Sequence, residues 1–194
     1  MAWPTSDPLA PPSSAPIADA AMARYADGDA AAFALVYDEL APRLRYFLRR
    51  RCSDAERAED VLQSTFLAMH RARGRFEPGS PVLPWCFAIA RRLAIDDARR
   101  ASRRPEAPEA EAASGDPRPD AAADLQARRL AADLAVELTA LPVTQREAFE
   151  LVRIDGFTLE EAAMAVGASI ASMKARSHRA QETLRARLWR LIDA

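Results

Sequence analysis

Residues 105–124, PEAPEAEAASGDPRPDAAAD, constrain the fold of this chain more than any other stretch. The segment has no apolar period, and it sets six carboxylates against Arg118 alone. Proline, alanine and carboxylate in that mixture cannot bury enough apolar surface to order the backbone, so the segment should stay solvated and extended. A core cannot run through it. Length alone allows one domain or two, and this linker argues for two. On both sides of it apolar residues recur at helical spacing, and no strand pattern appears. The expected fold class is therefore all-α: two small helical domains joined by a flexible acidic linker. Residues 1–17, rich in Pro, Ser and Ala, read as a disordered tail, with the domains at 18–104 and 125–194.

The formal net charge of −1 conceals a strong asymmetry. Residues 91–104, RRLAIDDARRASRR, hold six arginines against two aspartates, and residues 174–190 hold Lys174 and five arginines against Glu182. Two basic blocks parted by an acidic one are how a nucleic-acid footprint looks in sequence. The segment 1–20 lacks the basic head and apolar middle of a signal peptide, and no apolar run reaches the length of a membrane helix, so the cytoplasm is expected. Cys52 and Cys86 are the only cysteines, without a CxxC or a Cys/His cluster, so no metal or other cofactor is expected and both read as buried thiols. His70 and His178 fall on different predicted helices with no carboxylate-serine or cysteine partner that would make a catalytic pairing. They read as polar surface residues, and no catalytic group or small-molecule substrate is expected.

In the first domain Phe33, Val36, Tyr37, Leu40, Leu44, Phe47 and Leu48 predict a helix from about Asp29 to Arg51, with Pro42 as a point of bending. A second helix should open at Ser53, with Glu56 completing a capping box, and close at Gly74 in a left-handed conformation. Its apolar stripe is Val61, Leu62, Thr65, Phe66 and Met69. A loop from Arg75 to Pro84 follows. The third helix, WCFAIARRLAIDDARR, should bury Trp85, Ile89, Ala90 and Leu93. In the second domain Leu125, Leu130, Leu134 and Leu138 begin the apolar pattern. Then Thr158 with Glu161, Gly167, and Ser169 give cap, stop and cap for two short helices. That is helix-turn-helix grammar, in which the second helix enters the major groove. Met173, Ala180, Leu184 and Leu188 should face the core. An ordinary helical hairpin with a solvated basic face fits the same residues.

The segment LPVTQREAFELVRIDGFTLEEAAMAVGASIASMKARSHRAQETLRARL resembles the fourth conserved region of extracytoplasmic-function sigma factors. Leu-Pro, Arg-Glu, Gly-Phe-Thr, Glu-x-Ala and Lys-x-Arg-x-x-Arg stand in family order. AEDVLQSTFLAMHRARGRF followed by PWCFAIARRLAIDDARR is similar to the second conserved region of the same family. The resemblance spans about Asp29 to Leu188. It implies a transcription initiation factor, not an enzyme, that binds core RNA polymerase at the clamp of the largest subunit and the flap of the second and directs it to promoter DNA. Asp60, Gln63 and Ser64 sit at the polymerase-docking positions, Ser64 where many members carry glutamate. Arg75, Arg91, Arg92, Arg99 and Arg100 would meet the minus-ten element, with the Arg75–Pro84 loop walling a pocket for a flipped base. Ser169, Ser172, Lys174, Arg176 and Arg179 would meet the minus-thirty-five element. Whether Arg176 contacts a base or a phosphate stays open at this level. Ser177 and Gln181 replace residues that are often leucine and arginine in the family. The resemblance also implies an anti-sigma partner, in some cases a membrane protein, that releases the factor on a stress signal. The acidic linker would lie in a basic channel of the polymerase or serve solubility alone.

Two other readings compete. A repressor or activator using only the C-terminal helix pair leaves Asp60, Gln63 and the first basic block unexplained, and would need a dimer to read two half-sites. An adaptor that binds protein alone leaves both basic blocks unexplained.

Overall fold

The computed structural model describes residues 15–101 and 132–192, with side chains through residue 188. The N-terminal fourteen residues, the linker and the positions of Leu125 and Leu130 lie outside the described residues. Two compact units result, one built around four N-terminal helices and the other around the C-terminal ones. Among the described residues there is no strand, and no helix is long and apolar enough to cross a membrane.

The first helix, α1 (Pro16–Ala26), begins two residues inside the stretch assigned to the tail. Proline at its N-terminus has the helical φ already set and lacks an N–H that would have no partner there. The helix buries Ala18, Ala21, Met22 and Tyr25. Its short alanines hide that face from a pattern search keyed to large apolar residues. A turn follows at Gly28, whose φ of +106° is one that residues with a Cβ rarely adopt. Arg24 closes the turn from the helix side by an ion pair of 2.5 Å to Asp29. That hydrogen-bonded guanidinium holds the Asp29 carboxyl below its ordinary value.

Helix α2 (Ala32–Arg49) starts three residues later and ends two earlier than its apolar pattern predicts. It continues through Pro42, whose exposed position leaves the carbonyl that lacks its usual amide partner on the solvent side. Helix α3 (Ala55–Ala72) is capped by Asp54, one residue beyond the expected Ser53. The Asp54 carboxylate accepts from the Arg57 N–H at 2.7 Å, while the Ser53 hydroxyl donates to Asp54 at 2.8 Å. A carboxylate at a helix N-terminus also meets the positive end of the macrodipole, which favours it over a hydroxyl. At the other end Gly74 keeps a right-handed backbone, because the chain tightens into a 3₁₀ turn at Arg73–Arg75 in place of a left-handed stop.

Helix α4 (Val82–Ala101) begins three residues before Trp85 and shortens the expected loop. That early start rotates the burial. The core face is Val82, Leu83, Cys86, Phe87, Ala90 and Ala94, whereas Trp85, Ile89 and Leu93 are half-buried at its margin. Trp85 rests against Phe76 at 5.4 Å between ring centroids. The α2, α3 and α4 helices interlock through Leu40, Leu44, Phe47, Leu62, Met69 and Phe87, all nearly inaccessible to solvent. Phe47 and Phe87 meet at 4.8 Å, Tyr37 and Phe66 at 4.7 Å. Each such ring or branched side chain contributes roughly 1.5–3 kcal/mol on burial. Arg45 on α2 pairs with Glu59 on α3 at 2.5 Å, and Arg57 on α3 lies 3.5 Å from Asp97 on α4.

In the second unit α5 (residues 132–139) leads into α6 (Val143–Phe149), which widens into a π-helical turn at Glu150–Ile154. Next come α7 (Leu159–Val166) and α8 (Ile170–Ile192). Leu138 and Leu141 pack on Ala180 and Leu184 of α8, with Leu134, Phe149 and Ile154 around them. Arg187 of α8 donates to Glu137 of α5 at 3.0 Å.

The cysteines differ in a way the sequence does not show. Cys86 is buried, and burial pushes its thiol far above the ordinary range. Cys52, expected to be buried, is half-exposed just after α2, with its thiol raised less, chiefly by desolvation. A maleimide at mild alkaline pH should therefore label Cys52 in the native state and Cys86 only as the first unit unfolds, which mass spectrometry of a denaturant series checks.

Candidate functional site

Three exposed faces carry the residues singled out by sequence, and each follows from what its helix buries. On α3 the core positions Ala58, Val61, Leu62, Thr65, Phe66 and Met69 form one face, and the Thr65 hydroxyl donates to the Val61 carbonyl at 2.7 Å, so this buried polar group is satisfied within the helix. The opposite face is left to Asp60, Gln63 and Ser64, all exposed. Leu67 continues it at the next turn and is 49% exposed. Residues at these spacings lie on one stripe. Salt bridges on either flank, through Glu59 to α2 and Arg57 to α4, hold the helix at a set rotation. The result is a polar stripe ending in a large apolar side chain, a composition that suits a protein partner better than solvent. The sequence reading missed Leu67, although its position seven residues after Asp60 was a usable signal.

On α4 the buried Cys86, Phe87, Ala90 and Ala94 turn Arg92 and Arg99 to the far side, one two-turn step apart. Arg100 is exposed beside them, and Arg91 is half-buried. Asp96 sits between the two arginines and approaches Arg99 at 4.0 Å. Trp85 lies along the same outward side, half-exposed. Arg75 stands apart at the end of the 3₁₀ turn, where the loop of residues 76–81 begins. The face offers spaced cations beside an aromatic ring, groups suited to phosphates and stacked bases.

In the second unit the caps and the stop form where the sequence puts them, but the second helix is long where a short one was expected, running from Ile170 to Ile192. Thr158 and Glu161 exchange hydrogen bonds, the Thr158 N–H donating to the carboxylate at 2.9 Å and the Glu161 N–H to the hydroxyl at 3.1 Å. Gly167 has φ of +66°, and the Ala168 N–H returns to the Ala163 carbonyl at 2.9 Å, so the left-handed residue ends α7. Ser169 caps α8 by accepting from the Ser172 N–H at 3.2 Å. Met173, Ser177, Ala180 and Leu184 are buried, while Leu188 is half-buried. The outward ridge is Ala171, Ala175 and His178, with Lys174 along one edge and Ser172, Arg176 and Arg179 along the other. Ala171 and Ala175 keep the first part of the ridge low, with cations along both edges, an arrangement suited to a groove.

Two replacements noted in the sequence take definite places. Ser177 is only 5% exposed, so this replacement lies on the buried side of α8. With its amide oxygen turned toward α6's π turn, Gln181 accepts from Arg153 at 2.8 and 3.1 Å. His178 faces Glu182 at 3.3 Å, one turn along the exposed side. Arg187 of the basic block is spent on Glu137.

Comparison with known proteins settles the family. The profile of sigma-70 region 2 matches residues 36–104, and that of sigma-70 region 4 matches residues 132–184. The chain is 36% identical over 168 residues to the RNA polymerase sigma factor CarQ of Myxococcus xanthus, covering 83% of this chain and 91% of CarQ. The chain belongs to the extracytoplasmic-function sigma factors of RNA polymerase. The sigma factor EcfG of Rhodopseudomonas palustris is 34% identical, covering 76% of this chain and 80% of EcfG. Among solved structures, CnrH in complex with the cytosolic domain of CnrY superposes with a TM-score of 0.65 at 26% identity, covering 89% of this chain and 97% of that one. RpoE of Bartonella quintana, in complex with the anti-sigma factor NepR, gives 0.63 at 30% identity, covering 80% and 96%. This sigma factor is thus a transcription initiation factor that binds core RNA polymerase and directs it to promoters.

The Thr158 capping box holds the start of α7 and through it the hinge at Gly167. Thr158→Ala should lower the stability of the C-terminal unit by about 1 kcal/mol, checked by denaturant melts followed by circular dichroism.

Proposed function

We propose that the α3 stripe of Asp60, Gln63, Ser64 and Leu67 is the surface by which this sigma factor docks on the clamp of the largest polymerase subunit. The observation that carries the assignment is Leu67: a half-exposed leucine in line with three polar residues, on a helix whose other faces are fully engaged. Arg75, Arg91, Arg92, Arg99 and Arg100 then face the minus-ten element, whose separated strands expose phosphates and base faces to them. Ser169, Ser172, Lys174, Arg176 and Arg179 face the minus-thirty-five duplex. The C-terminal unit also meets the polymerase flap. Residues 18–104 and 125–194 act as the two domains, extended upstream to include α1, and the acidic segment lets each find its own DNA element. Fixing the two on polymerase raises the effective concentration of one element once the other is bound.

An anti-sigma factor is the natural regulator. Relatives of this fold were solved in complex with CnrY and NepR, and a protein that covers the Leu67 stripe would compete with polymerase. Such a regulator is either free in the cytoplasm or carried by a membrane protein, and a stress signal releases it. The sigma factor itself acts in the cytoplasm, beside the polymerase.

Asp60→Ala combined with Gln63→Ala tests the docking face. Both side chains are exposed, so stability should change by less than about 0.5 kcal/mol, while capture of core polymerase and promoter-dependent transcription should be lost. Phe66→Ala, on the buried side of the same helix, should cost about 3–5 kcal/mol and lose activity with the fold. A double variant that melts normally and captures polymerase at wild-type strength rules the face out.

On α8, Arg176 leaves the core margin beside Ser172, whereas Lys174 projects from the opposite edge. A fork-shaped guanidinium can pair with two acceptors of one guanine, and an ammonium is the better point contact to phosphate. Arg176→Ala should therefore cost about 1–3 kcal/mol at one promoter position, and Lys174→Ala should weaken all sequences alike and lower the salt slope by about one unit. Binding by the reconstituted holoenzyme to a promoter library at two salt concentrations separates these outcomes.

A further inference from the structure

The loop of residues 76–81, between the 3₁₀ turn and α4, is held at both ends by the same helix, α1. At its downstream end the Val82 N–H, the first of α4, donates to the Asp19 carboxylate at 2.7 Å. That N–H is one of the helix-initial donors without a partner inside the helix, and a carboxylate there gains from both the hydrogen bond and the macrodipole. Caps of this kind usually come from a residue just before the helix. Here the cap comes from a helix sixty-three residues earlier in the chain. At the upstream end the Tyr25 hydroxyl hydrogen-bonds His70 Nδ1, near the end of α3. Arg73, the first residue of the 3₁₀ turn, stands 5.8 Å above the Tyr25 ring and donates to the His70 carbonyl at 2.9 Å. Asp19 and Tyr25 both belong to one eleven-residue helix, so the separation of the loop's two ends is set by a rigid element.

Between those anchors Glu77, Pro78 and Gly79 are exposed, Gly79 has φ of +88°, and the Ser80 N–H closes a turn on the Glu77 carbonyl at 3.0 Å. Phe76 is buried against Trp85. The loop is therefore a short exposed bridge with fixed abutments. On the reading that this loop and α4 meet the minus-ten element, we propose that α1 is a brace that sets the loop's span, with Asp19 and Tyr25 as positioning residues for capture of the opened minus-ten strand. Neither side chain touches DNA in this account. Asp19 acts through Val82 and the start of α4, Tyr25 through His70 and Arg73.

The test uses the full chain assembled with core polymerase, and a fork-junction DNA whose minus-ten non-template strand is single-stranded. Asp19→Ala should weaken fork binding about tenfold, the lower end of what loss of one charge-assisted hydrogen bond costs. Capture of polymerase, and binding of a duplex carrying only the minus-thirty-five element, should be unchanged. Asp19→Asn keeps an acceptor oxygen and should stay within about twofold of wild type, and Tyr25→Phe, which keeps the buried ring, should show a partial loss confined to the fork. Fork binding by Asp19→Ala equal to wild type overturns the brace. So does a parallel loss of polymerase capture and melting temperature, which would make Asp19 a fold residue alone. Arg92→Ala with Arg99→Ala separates the two levels: if that variant also binds the fork at wild-type strength, the minus-ten reading itself fails, whereas a weakened arginine variant beside a normal Asp19→Ala sinks only the brace.

Discussion

The packing of α2, α3 and α4 on one another is the constraint from which the rest of the N-terminal unit follows. Phe47 against Phe87, with Leu44, Leu62 and Met69 sealed around them, fixes the rotation of each helix about its own axis. A helix has one circumference, and once its apolar stripe is buried the opposite stripe has no choice of direction. The burial of Val61, Leu62 and Phe66 therefore aims Asp60, Gln63, Ser64 and Leu67 outward. The burial of Cys86, Phe87 and Ala90 likewise aims Arg92 and Arg99. The exposed polar and basic faces of this unit are the remainder left by core formation, steadied by the Arg45–Glu59 and Arg57–Asp97 pairs.

The same logic runs at smaller scale in the C-terminal unit, where the core is thinner. Ala180 and Leu184 sit on Leu138 and Leu141, and Arg187–Glu137 adds a polar tie between α8 and α5. Local chemistry has more to do here. The Thr158–Glu161 box, the positive φ at Gly167 and the Ser169 cap define where one helix stops and the next starts. Leu151, Phe157 and Met173 are buried in the same unit. Caps of this kind are each worth about 1 kcal/mol, so the eight-residue α7 depends on them more than the longer helices of the first unit do.

Charge also divides by role. Of the second basic block, Arg187 is engaged with α5 while Lys174 and Arg179 are exposed along the edges of the outward ridge. A count of arginines in sequence therefore overstates the surface field and misplaces part of it. The net charge near zero belongs to the whole chain and describes neither face.

How much was legible differs by element. Period and caps located α2, α3 and the start of α8 to within a few residues, and the period put Asp60 and Gln63 together on a face turned from the core, because a 3.6-residue repeat states its own inside and outside. Motif order across two regions carried the family. Helix α1 escaped, since alanines bury well but weigh little in any apolar pattern. The start of α4 was placed too late, which put Trp85 in the core when it lies at the margin, and the cap of α3 was assigned one residue early. Each of these depended on partners far along the chain or on competition between neighbouring side chains. Asp19 reaches Val82, Tyr25 reaches His70, and Arg153 reaches Gln181 only after separate helices have packed. Local periodicity and capping are properties of a few consecutive residues and can be read from them. Cross-helix hydrogen bonds exist only once hydrophobic burial has brought distant segments together, so tertiary structure alone decides them.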